Sequence, residues 1–138
     1  MTADELSDVI RINNPSGGRG GPQAKIIHGV MGQCYSGGFL LNFGLMGGHY
    51  SVSTACKENE LSWATPNLLY DEYLLHWISA MAGINFENSS NVNADTNNDG
   101  YVSFEEAFIY ARDNDRRNET PQYYTYRTLG SNAGLNHP

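Results

Sequence analysis

Basic residues, cysteine and long apolar runs are all scarce in this sequence. Two cysteines, Cys34 and Cys56, are too few for a disulfide framework. Eight lysines and arginines stand against fifteen aspartates and glutamates, a net charge of −7. A field of that sign repels a phosphate backbone, which excludes nucleic acid as the expected partner. Arg112, Arg116 and Arg117 do cluster, but beside Asp113 and Asp115, which reads as a solvated helix end. No apolar run reaches the ~20 residues of a membrane-spanning helix, so no membrane partner is expected. The first residues carry neither a basic flank nor an apolar segment, so no signal peptide is expected.

Asparagine and glycine are abundant, fifteen of each, and predict long loops and many turns. Apolar residues make up 40% and aromatics 12%, enough for a packed core and too many for global disorder. A chain of 138 residues accommodates one domain, expected to span 1–138.

Thr2-Ala3-Asp4-Glu5 reads as a capping box ahead of a helical face of Leu6, Val9 and Ile10, stopped at Asn13-Asn14-Pro15. Residues 16–22 hold four glycines and read as a loop. The short apolar stretch 24–34 predicts a strand covered on both faces. Phe39 to Met46 predicts a buried helix ended by Gly47-Gly48, and His49 to Cys56 a second strand. Leu68 to Ala82 and Ser103 to Arg112 have helical periodicity. The stretch 84–94 reads as a loop, and a short strand is expected near Tyr123 to Tyr126. This order predicts an α/β fold with helices on a mostly parallel sheet. Two or three strands make a thin sheet whose 24–34 strand has an open edge. That edge points to self-association or to a second chain covering it.

Gly32-Gln33-Cys34-Tyr35-Ser36-Gly37-Gly38 places a cysteine after a strand and before a helix. Chemistry collects at that end of an α/β sheet, and a helix start favours thiolate. By position alone, a buried structural cysteine is as good a reading. The surrounding residues add a resemblance. Cys34-Tyr35-Ser36-Gly37 resembles the Cys-x-Ser-Gly nucleophile segment of caspase-fold cysteine peptidases of the legumain and metacaspase kind. Ser53-Thr54-Ala55-Cys56 with Glu60-Leu61-Ser62-Trp63 is similar to the next strand and its pocket-building loop. Tyr70 to Ala82 looks like the helix that follows. Residues 94–107 and Glu119-Thr120-Pro121-Gln122-Tyr123 resemble the closing segments of bacterial caspase-like peptidases.

The resemblance implies a partial caspase-like fold, the C-terminal part of a peptidase domain acting on peptide or protein substrates. Cys34 would be the nucleophile and its N–H part of an oxyanion hole. Gln33, Ser53, Thr54 and Ala55 would line the substrate pocket. Gln33 stands where legumain-type enzymes often carry an acid, so acidic, amide and basic preferences all stay open.

In caspases the partner histidine lies about 50 residues upstream of the cysteine. Here the one His-Gly pair, His28-Gly29, lies six residues before Cys34 within the same expected strand. Six strand residues span about 20 Å, beyond hydrogen-bond reach. His49 should sit at the far strand end, His76 on a helix face and His137 in the tail, so none of the four is assigned as base. The base would come from a larger chain or a second chain; otherwise the chain is an inert, calcium-stabilised binding domain. Cys56 should end the strand neighbouring Cys34, and two free thiols are expected rather than a bridge.

Asp95 to Glu106 matches the twelve-residue EF-hand loop. Asp95, Asn97 and Asp99 place oxygens at positions 1, 3 and 5, and Gly100 makes the turn. Tyr101 would give its carbonyl, Ser103 sits at the often water-mediated position, and Glu106 would be bidentate. Oxygen ligands suit Ca²⁺ rather than zinc. An incoming helix is not expected, so the role would be structural. A capping box at Ser103 and Glu106 explains part of the same pattern.

Overall fold

A computed structural model describes residues 2, 5–6, 27–46, 50–126 and 134–136. The expected helix beyond Leu6, the loop at 16–22, the strand start at 24–26, Gly47-Gly48, His49 and His137 lie outside the described residues. The capping box is present: the Thr2 amide donates to Glu5 Oε2 at 2.6 Å, and the Glu5 amide to Thr2 Oγ1 at 3.1 Å.

The chain runs β1 (Ile27–Met31), α1 (Gly38–Met46), β2 (Tyr50–Thr54), α2 (Glu72–Ala82), β3 (Tyr101–Ser103), α3 (Phe104–Asn114), β4 (Gln122–Tyr126) and β5 (Gly134–Asn136). β1 and β2 pair in parallel, Ile27 opposite Tyr50 and Met31 opposite Thr54. β4 lies on the other side of β2 and is antiparallel, Thr54 opposite Gln122. The α/β class is as the sequence predicts, but the sheet is mixed, not mostly parallel. The reason is the helix count. One helix between β1 and β2 returns the chain to the starting end, which makes the pair parallel. Two helices between β2 and β4 bring it back to the finishing end, so β4 runs the opposite way.

β2 is central and buried at all five residues, as a strand covered on both faces must be. Tyr50 and Val52 pack with Phe43 of α1, joined by Leu6, Ile27 and Met31. On the other face Ala55, Tyr73 and Ala111 pack with Val30, Leu74, Trp77 and Phe108. A third cluster of Ala80, Met81, Ala94, Val102 and Ala107 holds α2 and α3 together beyond the sheet. Among the described residues β1 has no partner on its outer side.

Two expected boundaries move. α2 starts at Glu72 rather than Leu68, because Asp71 caps it by accepting from the Leu74 amide at 2.8 Å. Residues 65–70 instead form a turn, closed by the Thr65 amide donating to the Tyr70 carbonyl at 2.8 Å. Leu68 sits there at φ 59° and Leu69 beside it, both exposed. The first strand ends at Met31, so Cys34 is in the turn after it. β3 is not foreseen by the sequence reading; it pairs antiparallel with β5, Val102 opposite Leu135.

A thiol at the carboxyl ends of the parallel strands

Cys34 lies in the turn between β1 and α1, four residues ahead of the first helical residue, Gly38. The turn is held from both sides. The Tyr35 amide donates to the Glu60 carbonyl at 2.8 Å, with Tyr35 at φ 62°. Ser36 is fully buried and accepts the Cys56 amide at 3.3 Å. Gly37 lies so close to the 57–58 backbone that a Cβ would come within 2.6 Å of the Glu58 nitrogen. Both thiols are free, as expected: Cys34 exposed, Cys56 buried. The Cys56 thiol donates to the Glu60 carbonyl at 3.3 Å and reaches the Gln33 carbonyl at 3.7 Å.

The Cys34 thiol donates to the Ser62 carbonyl at 3.6 Å. Gln33 is exposed beside it. Ser53, Thr54 and Ala55 sit at the end of the neighbouring strand, but all three are buried. Ser53 hydrogen-bonds the Tyr73 hydroxyl, and Thr54 Oγ1 donates to the Cys56 carbonyl at 3.2 Å. Burial pushes the Tyr73 phenol well above its ordinary value, against the donation at Ser53. The two strands therefore bring these residues to the same end as Cys34, with the Ser53 and Thr54 hydroxyls committed to internal bonds and Ala55 packed in the core.

The described histidines lie away from the sulfur's partner. His28 Nδ1 is 2.5 Å from Ser51 Oγ, and its ring stacks on Phe104 at 3.9 Å, at the opposite end of β1. His76 lies on α2, edge-on to Tyr110. Burial lowers the pKa of both.

Behind the 60–63 segment lies a group of acids. Ser62 Oγ donates to Asp71 Oδ2 at 2.6 Å, and the Trp63 amide donates to Glu119 Oε2 at 3.0 Å. Glu119 Oε1 and Asp115 Oδ2 are buried without a donor among the described residues. Burial, then the hydrogen bond and charge of Asp115, push Glu119 up to about 8. Burial likewise raises Asp71, opposed by its donors Ser62 and Leu74. A proton on Glu119 would offer these two orphan oxygens a donor.

The sequence reading missed this group and misread part of it. Arg112 and Asp113 do form an exposed pair at 2.8 Å. Arg117, expected in the same solvated helix end, instead pairs at 2.5 Å with the buried Glu72, whose Oε1 also accepts the Arg116 amide at 3.1 Å. Acids separated by more than forty residues in sequence meet because α2 and α3 form a hairpin whose free ends return to the Cys34 side. No local spacing signals that.

The 95–106 loop is at the other end of the sheet, where Phe104 meets His28. No helix leads directly into it, residues 83–94 being non-helical, as expected. Gly100 turns it at φ 87°. Asp95 accepts the Gly100 amide at 2.9 Å and the Asp99 amide at 3.2 Å, and Asn97 Oδ1 accepts the Asp99 amide at 2.8 Å. Asp99 Oδ1 accepts the Tyr101 amide at 3.0 Å. Glu106 reaches back from α3: Oε1 accepts the Thr96 amide at 2.9 Å, and Oε2 the Ser103 amide at 3.0 Å. Burial opposes the Glu106 charge, but donors on Ser103 and Thr96 hold its carboxyl down at about 2. Among the described residues, no three His, Cys, Asp or Glu side chains are grouped to hold a metal. The oxygens of this loop suit a hard cation by type. Their present partners are the loop's own amides.

Compared with protein-family models, with curated proteins and with solved structures, the chain matches none.

Proposed function

We propose that this chain is the nucleophile-bearing part of a caspase-like cysteine endopeptidase. One observation carries the reading: an exposed thiol on a turn at the carboxyl ends of two parallel strands joined by a helix. In this reading the Cys34 thiolate attacks a peptide carbonyl and the Cys34 amide helps stabilise the resulting oxyanion. An apolar groove of about 450 Å³, lined by Leu69, Asp71, Leu74, Ile78 and Phe86, supplies surface for neighbouring substrate residues. The general base is assigned to a histidine supplied by another segment or a second chain, since neither His28 nor His76 is bonded to the sulfur. That same observation favours a second reading, an inert binding domain. In both readings the 95–106 loop holds Ca²⁺ as a structural tie, with Asp95, Asn97, Asp99, the Tyr101 carbonyl, Ser103 and Glu106 as donors.

The test is labelling with peptidyl electrophiles carrying Asp, Asn, Arg or Lys before the warhead, with Cys34→Ala as control. The peptidase reading expects Cys34 to be labelled selectively by one of the four. Equal labelling by all four, no faster than a free thiol, selects the inert domain.

A further inference from the structure

The Ser62 carbonyl and the Trp63 amide are the two ends of one peptide group. The Cys34 thiol donates to its oxygen, and its N–H donates to Glu119. A rigid planar unit thus stands between the sulfur and the carboxyl pair. Hydrogen bonds in such a chain polarise one another. A negative charge on Glu119 draws on the Trp63 N–H, makes the Ser62 oxygen a better acceptor, and so favours S–H over S⁻. Loss of the Glu119 proton has the same sign through space.

We infer that Glu119 is a positioning residue for the thiol: through the 62–63 peptide group, the Asp115–Glu119 carboxyl pair sets the orientation and the ionisation of Cys34. The inference rests on reading Cys34 as the reacting group. The charges around the pair are accounted for. Asp71 faces it from the start of α2 and binds Ser62. Glu72 is engaged by Arg117, and Arg117 donates its amide to Asp115 Oδ1 at 2.9 Å. On the 57–60 loop Glu60 binds Lys57 at 3.5 Å and accepts the Thr120 amide at 2.9 Å. On β4 Tyr123 packs on Phe108, its phenol pushed up by burial. The thiol then responds to two protonation events. While Glu119 holds its proton, the Ser62 carbonyl opposes ionisation of Cys34 without the added charge of Glu119. Once the proton leaves, the added charge and the stiffened peptide oppose it further.

The experiment is the rate of Cys34 alkylation by iodoacetamide across pH, read site by site by mass spectrometry in wild type, Glu119→Gln, Asp115→Asn and Glu60→Gln. Wild type is expected to show two inflections, that of the thiol and that of the pair. Glu119→Gln should leave one, match wild type at neutral pH, and raise the rate about threefold above about pH 8, where wild-type Glu119 has lost its proton. Glu60→Gln loosens the same loop through Thr120 and should keep both inflections. Wild-type and Glu119→Gln profiles that superimpose would overturn the inference, and so would loss of an inflection in Glu60→Gln as well. If Glu119→Gln does not fold, ultraviolet absorbance of the wild-type thiolate against pH decides: two steps support the inference and one overturns it. Peptidyl selectivity is a separate readout. Its absence with two inflections intact would sink the peptidase reading alone, and selectivity with a single inflection would sink this inference alone.

Discussion

Ser36 Oγ engages the Cys56 backbone twice: the Cys56 amide donates to Ser36 Oγ at 3.3 Å, and Ser36 Oγ lies 3.4 Å from the Cys56 carbonyl as its donor. The serine two residues after Cys34 is therefore a brace between the turn and the end of β2. Its hydroxyl is fully buried and satisfies the backbone of a strand end that has run out of ladder partners.

Ser36→Ala removes that brace and orphans a buried amide. Leaving one such group unsatisfied costs about 1–3 kcal/mol. Urea denaturation should show a lower midpoint with an unchanged slope, and an unchanged midpoint would refute the assignment.

Gly37→Ala is expected to hurt for a different reason. The added methyl would lie 2.6 Å from the Glu58 nitrogen and 2.7 Å from the Lys57 carbonyl carbon, both backbone atoms. Overpacking of this kind costs about 1–3 kcal/mol. The 33–37 turn must shift, so the Cys34 alkylation rate should change along with the melting temperature. A variant matching wild type in both would show that the contact yields freely.

Calcium should raise the melting temperature relative to excess chelator, and Glu106→Gln should abolish the difference. Without calcium the variant should still lose about 1 kcal/mol, because Glu106 also completes the cap of α3. Identical melting with calcium and with chelator would remove the metal and leave the cap as the whole explanation of the pattern.

Stability should be highest near pH 4.5 and fall on both sides of it. Glu119 is raised from 4.5 to about 8 in the fold, so its contribution is fully present below about pH 4.5 and is lost as pH rises towards 8. Glu106 is lowered from 4.5 to about 2, so its contribution is present above about pH 4.5 and is lost as pH falls towards 2. Denaturation midpoints for Glu119→Gln should lose the alkaline limb and keep the acid one. A variant with the wild-type alkaline limb would assign that limb to another group.

Strand–turn–helix order made β1, α1, β2 and the place of Cys34 legible, because apolar runs and glycines mark those boundaries locally. The start of α2 was not legible, since Leu68 and Leu69 continue the helical pattern while Asp71, inside it, is the cap. Nor was β3, three residues whose strand character exists only through pairing with β5. The direction of β4 depends on how many helices precede it, which needs the whole topology. Asp71, Asp115 and Glu119 form a group only once α2 and α3 have folded against each other. The spacing of 95–106 was legible residue by residue, yet its carboxylates serve amides of the loop itself, which spacing does not reveal.

Val102 stands at the eighth position of that loop and pairs with Leu135. The loop and the strand at 134–136 are therefore thermodynamically linked. Any cation that prefers the extended form of Tyr101–Ser103 tightens the hold on β5 by the same free energy that β5 lends to the cation. Removing 134–136 should therefore weaken the hold on any such cation, although the donors proposed at 95–106 stay in place.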